Sequence, residues 1–136
     1  MVLPAVINAV NYDRVSDMDT GSGCKLFWLP DSCFVVSSLV PWFEYYVNIP
    51  SEKDLNITLS MTTGLVPKWG TRYVSVSIDG IDVAKNIAVI NEGIMDAGWQ
   101  KINLYTVKGI HMTSGNHIVR VSFENGGTAF KFIQFN

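Results

Sequence analysis

The chain has two cysteines, two histidines and ten Lys and Arg residues that never cluster, and each scarcity closes off a class of function. Without a basic stripe there is no electrostatic footprint for nucleic acid. No apolar run approaches the roughly 18 residues of a membrane-spanning helix, so no span is expected. The cysteines, Cys24 and Cys33, stand in CKLFWLPDSC with no CxxC pair and no close histidine, which argues against zinc. They are either a loop disulfide of a secreted protein or two free, partly buried thiols. GxSxG and GxGxxG motifs are absent. His111 and His117 flank the turn-like Thr113–Asn116, away from any nucleophile motif, and read as solvated turn residues. Acidic residues are scattered through turns, and no carboxylate pair is indicated. The Asp17-x-Asp19-x-Gly21 spacing suggests a calcium loop, but Trp28 stands where an EF-hand requires its Glu. A solvated loop is the better reading, and nothing in the sequence points to an enzyme.

What remains is 136 residues, 48% apolar and 16% charged, with a net charge of −2: a packed domain, not a disordered tail. The whole chain, 1–136, reads as one domain. Met1-Val-Leu-Pro is too short for a signal peptide, so the expectation is a secreted chain with its signal removed or a module cut from something longer.

Period-2 alternation organises the sequence. In Trp42–Met61, Phe43, Tyr45 and Val47 fall on one face and Trp42, Glu44, Tyr46 and Asn48 on the other. After Pro50–Asp54, Leu55, Ile57, Leu59 and Met61 alternate with polar residues. The short connection predicts a local antiparallel hairpin whose apolar face a second sheet must cover. Ile7, Ala9 and Asn11 share one side of a first strand, Pro30-Asp31-Ser32 splits two apolar runs, and Asp79-Gly80 signals a hairpin turn. Ile102, Leu104 and Val107 carry a later strand, and further strands follow at Ile118–Phe123 and Phe130–Phe135. Eight to ten short strands with no long helix predict an all-β fold, a two-sheet antiparallel β-sandwich. Its core is expected to include Tyr45, Val47, Leu55, Ile57, Leu59, Val76, Ile78, Val121 and Phe123.

The tryptophans carry the functional signal. Trp28, Trp69 and Trp99 lie in or beside Gly/Pro/Ser-rich stretches, and Trp42 opens a strand. A ring at a loop apex offers an apolar face to the C–H face of a pyranose, while nearby Asn, Gln or Glu bind its hydroxyls. The competing reading packs these rings into the ends of the sandwich as core.

Five segments, in order, resemble the β-sandwich carbohydrate-binding modules of families 6 and 35: PAVINAVNYDRVS, PWFEYYVNIPSEKDLNITLSM, VSVSIDG, GWQK and GNHIVRVSFENGGTAFKFIQF. The resemblance implies a jelly-roll that binds a poly- or oligosaccharide without catalysis. It also implies a secreted or cell-surface location and a linked catalytic domain, such as a glycoside hydrolase, in the same polypeptide. In the family's loop-end cleft, Trp99 matches one stacking aromatic. The other position falls at Val36, leaving Trp28 or Phe34 as partner. The cleft Asn position holds Ala129, with Asn125 a displaced candidate, and Trp42, Glu44 and Tyr46 are candidates for a second site on a sheet face. The family's structural calcium site maps to Val10 and Lys131, neither of which ligates a hard cation, so no metal or other cofactor is expected. The alternative is a degenerate sandwich with a structural or protein-interaction role and no sugar binding.

Overall fold

In a computed structural model the described residues are 1–16, 23–26, 29–35, 41–63, 72–89, 103–124 and 128–136, and within 23–35 the only side chain described is that of Cys33. They form eleven strands: β1 (Ala5–Asn8), β2 (Arg14–Val15), β3 (Gly23–Leu26), β4 (Leu29–Val35), β5 (Trp42–Ile49), β6 (Lys53–Thr62), β7 (Arg72–Ile78), β8 (Ile81–Val89), β9 (Asn103–Met112), β10 (Gly115–Phe123) and β11 (Thr128–Phe135). One sheet runs β2-β5-β10-β7-β8 and the other β3-β4-β11-β6-β9, with β1 also on β11. Every strand pairing is antiparallel. The all-β, two-sheet antiparallel sandwich expected from the alternation is the observed architecture.

The expected hairpin of Trp42–Met61 is not. β5 pairs with β2 and β10, whereas β6 pairs with β11 and β9 in the opposite sheet. Alternation reveals which face of a strand is apolar but not which strand lies beside it. Phe43, Tyr45 and Val47 and the Leu55–Met61 set face the same interior from opposite sides, so each strand supplies the cover that the other needs. All nine expected core residues are buried. Phe130 of β11 reaches across to Phe43 and Phe123 of the other sheet, with ring centroids 6.2 and 5.7 Å away, in tilted arrangements that favour aromatic pairs.

Bulges adjust what simple alternation would misplace. Phe130 and Ile133, three residues apart, both point inward because the β11–β6 register slips between Phe130 and Phe132, leaving Lys131 exposed at the irregularity. On β9, Lys108 and Gly109 together oppose Asn56, Gly109 has φ +70°, and its N–H donates to Asn56 Oδ1 at 3.1 Å. That bulge follows Val107, so Leu104 and Val107 cannot share a face. Tyr105 packs against the core, Val107 is half-buried, and Leu104 is 63% exposed.

Two other expectations change. The first strand ends at Asn8 and Ala9–Asn11 form a single 3-10 turn, so Ala9 is buried beside Ile7 but Asn11 is exposed. Pro30-Asp31-Ser32 does not split a strand but lies inside β4, before the Cys33–Val35 segment that pairs with β11. The cysteine alternatives resolve to a disulfide: Cys33 is bonded and fully buried, and Cys24, the other cysteine of the chain, is its partner in register across β3 and β4. The Asp79-Gly80 turn forms as expected. Both residues have positive φ (52° and 83°), and Ile78 pairs with Ile81 across the tight β7–β8 turn.

Candidate functional site on the five-stranded sheet

Of the residues singled out in the sequence, Trp28, Trp99 and Asn125 lie outside the described residues, as do Trp69, Val36 and the Asp17/Asp19 loop. The backbone of Phe34 lies in β4 opposite Ala129, which is buried. Trp42, Glu44 and Tyr46 do come together: they occupy the outward positions of β5, because Phe43, Tyr45 and Val47 take the inward ones.

Cross-strand register sets their neighbours. Tyr46 opposes Ile118, Glu44 opposes Arg120 and Arg14, Trp42 opposes Ser122, and Asn48 opposes Asn116. Glu44 is a buried carboxylate, its side chain only 5% exposed. Its Oε2 accepts from Arg120 Nε at 2.9 Å and Nη2 at 2.6 Å, while Oε1 lies 3.4 Å from Arg14 Nη1. A carboxylate taken out of water requires such partners. The two guanidiniums also lie over the Trp42 ring, Arg120 at 4.1 Å and Arg14 at 5.5 Å from its centroid. Much of the Trp42 ring's stacking capacity is thus already used within the protein.

The other half of this face is open. Tyr46 is 41% and Ile118 42% exposed, and together with Asn48, Asn116, Asp79, His117, Val47 and Met1 they line a cleft of about 650 Å³. The Asn48 amide donates to Asn116 Oδ1 at 2.9 Å. A second hollow of about 350 Å³, over Glu44, Ser77, Asp82, Arg120 and Ser122, shares Asp79 and Ile118 with the first, so the two adjoin at these residues. The depression combines one exposed aromatic face, amides, hydroxyls and both charge signs, a set suited to a polyhydroxylated ligand. Arg120, Asn116, Asp82 and Asp79 were not among the sequence candidates. Arg120 and Asn116 were legible as the outward alternates of the strand carrying Val119 and Val121, but their juxtaposition with β5 depends on a pairing some 70 residues apart.

Asp79 and His117 form the end wall of the cleft. Asp79 Oδ1 accepts the Ile118 N–H at 2.8 Å and Oδ2 meets His117 Nδ1 at 2.6 Å. Burial opposes ionisation of this carboxyl, but the Ile118 N–H and the His117 ring outweigh it and hold it below the usual carboxylate range. His117 is shifted upward, first by the Asp79 hydrogen bond and then by the Thr113 carbonyl. With its side chain 10% exposed, His117 is not the solvated turn residue expected from sequence. His111 is closer to that expectation: it is 59% exposed, bridges Asp54 (2.7 Å) and Glu52 (3.0 Å), and is shifted upward by those two carboxylates. Among the described residues no three His, Cys, Asp or Glu side chains gather as a metal cage, and no helix is long and apolar enough to cross a membrane.

No protein-family model and no curated protein sequence matches the chain. Solved structures match over nearly its whole length. The C-terminal CBM6 of LamC, a marine laminarinase from Zobellia galactanivorans, superposes with a TM-score of 0.73 at 17% identity, covering 97% of this chain and 98% of that one. CBM6cm-2 from Cellvibrio mixtus lichenase 5A, solved with cellotriose, gives 0.66 at 19%, covering 98% and 96%. A family 35 module from Clostridium thermocellum gives 0.64 at 15%, covering 96% and 97%. These neighbours are named as carbohydrate-binding modules. The chain has the two-sheet β-sandwich fold of the family 6 and family 35 carbohydrate-binding modules.

Proposed function

We propose that the chain is a non-catalytic carbohydrate-binding module that holds a poly- or oligosaccharide by aromatic stacking and polar contacts, on a secreted or cell-surface protein beside a linked glycoside hydrolase or related enzyme. The observation carrying this reading is the open cleft over Tyr46, Asn48 and Asn116 on a fold shared end to end with such modules. Tyr46 supplies the stacking face there, with Glu44 and Trp42 as a packed flank that shapes the floor. Trp99, with Trp28, Phe34 and Asn125, remains the candidate set for a separate loop-end site.

Affinity electrophoresis and calorimetry against laminarin, lichenan, xylan and cello-oligosaccharides test the reading, with β-glucans included because neighbours come from a laminarinase and a lichenase. Removal of one stacked aromatic face costs about 1–3 kcal/mol, about ten- to a hundredfold in affinity. Tyr46→Ala is expected to lose binding by that factor with unchanged circular dichroism. If Tyr46→Ala binds normally and Trp99→Ala does not, the site is the loop-end cleft. Absence of retention on every glycan would favour the degenerate sandwich, a reading supported by the occupied face of Trp42 and by the buried Ala129 where the family resemblance expects an Asn.

The family calcium does not fit this chain. Val10 presents hydrocarbon against the core and Lys131 an ammonium on an exposed bulge, and neither side chain offers an oxygen to a hard cation. EDTA is expected to leave the melting temperature unchanged. A fall of many degrees, with one calcium per chain found between these positions, would contradict that.

A further inference from the structure

The end of the cleft is closed by three elements that one side chain joins. Asp79 opens the β7–β8 turn in a left-handed conformation (φ 52°), and its N–H donates to Ile118 O at 2.9 Å. Its carboxylate spans the Ile118 N–H and the His117 ring. On the other side of the imidazole, Nε2 lies 2.7 Å from the Thr113 carbonyl, with the Thr113 hydroxyl farther off at 3.5 Å, on the connection that carries the chain from β9 in one sheet to β10 in the other. A carbonyl oxygen has no proton to offer, and neither has an ionised carboxylate. Both ring nitrogens must therefore donate, which only the imidazolium can do.

We propose that the His117 imidazolium is a proton-dependent clamp, tying the Asp79 turn to Thr113 across the end of the cleft and releasing one of the two when it loses a proton. A neutral ring keeps a single N–H, so either the Thr113 carbonyl or the Asp79 carboxylate then faces a lone pair. The geometry sets the direction, and the upward shift of His117 agrees with it. A raised histidine contributes stability that is fully present below its unfolded value of about 6.5 and is lost as pH rises through the folded value. Asp79, held low, sets the other limit: its contribution is present above the unfolded carboxylate value and is lost as pH falls through the depressed one. The clamp is closed between these limits. Among the described residues, the other titratable groups lining the cleft are the Tyr46 phenol and the Met1 ammonium, which donates to Tyr46 O; Asp82, Glu44 and Arg120 line the adjoining hollow that shares Asp79, and β5 sets Val47 opposite His117. His111, bound to Asp54 and Glu52 on the β6–β9 edge, titrates apart from this cluster and provides an internal reference.

Long-range ¹H–¹⁵N NMR of the labelled full chain, titrated from pH 5 to 9, tests this, with His111→Gln assigning the two rings. The expected result is a His117 ring protonated on both nitrogens at pH 6.5 and titrating above that value. The side-chain amides of Asn48 and Asn116 should shift with the same midpoint, and those shifts should vanish in His117→Gln. The melting temperature should fall through the same midpoint in the wild type and remain flat there in His117→Gln, once the His111 contribution is removed by His111→Gln in both. A neutral His117 at pH 6, or a midpoint at or below 6.5, would overturn the clamp. Amide signals indifferent to the titration would overturn its link to the cleft. If His117→Gln does not fold, the wild-type titration decides both points.

Discussion

The two faces of β5 differ in how they are held. The inward face, Phe43, Tyr45, Val47 and Ile49, is fixed by shape: side chains from both sheets fill one volume, and burial stabilises them whatever their exact partners. The outward face, Trp42, Glu44, Tyr46 and Asn48, is fixed by specific pairs, and its two halves diverge. Around Glu44 the side chains are engaged in ion pairs with Arg120 and Arg14, whereas around Tyr46 an aromatic ring and amides remain open to solvent. Functional capacity on such a face resides where the protein has not satisfied its own side chains.

The comparison breaks hardest at Phe43. It is fully buried and in ring contact with Phe123, Phe130 and Tyr12. Phe43→Ala should cost about 3–5 kcal/mol by removing its burial and leaving a cavity, measured by urea unfolding. A smaller effect on the other face is expected for Glu44→Ala, about 1–3 kcal/mol, since two charge-assisted bonds to Arg120 are lost although both arginines can turn to solvent. An unfolding midpoint unchanged in Glu44→Ala would mean that this half of the face is not held by its ion pairs. The smallest effect sharpens the contrast on the inner face itself. Tyr45 is buried, and its hydroxyl donates to the Ala9 carbonyl at 2.9 Å, tying β5 to the 3-10 turn. Burial, with Tyr12 and Asp13 nearby, pushes its phenol well above the usual tyrosine range, so it remains a donor. Tyr45→Phe should cost about 1 kcal/mol with no loss of packing.

The same contrast explains what the sequence could reveal. Tyr45, Val76 and Phe123 were legible as core because burial follows a period of two, which one strand displays alone. The Asp79-Gly80 turn was legible because positive φ at both residues restricts the residue types. The partner of β5 was not, since the same alternation is consistent with a neighbour in its own sheet or a strand facing it. Leu104 was misplaced because both phases of β9 carry apolar residues, and only the bulge at Lys108–Gly109 distinguishes them. Of the candidate site, Trp42, Glu44 and Tyr46 could be placed on one face. That Arg120 would cover the ring of Trp42, and that Asn116 would join Asn48, followed from a register that no local segment contains.

The strand order also dictates a timetable. Among the described strands only β3–β4 and β7–β8 join chain neighbours, and every other pairing between them waits for a distant segment. The chain's folding should accordingly be slow, on the order of milliseconds to seconds, as for other sandwiches dominated by non-local pairs. β1, β4 and β6 all pair with β11, and among the described strands β11 comes last in chain order. Until β11 has formed, β1 and β4 have no strand to join them to β6, and the inward face of β1 at Ile7 lacks its cover. The first strand of this sandwich is protected only once the eleventh is in place.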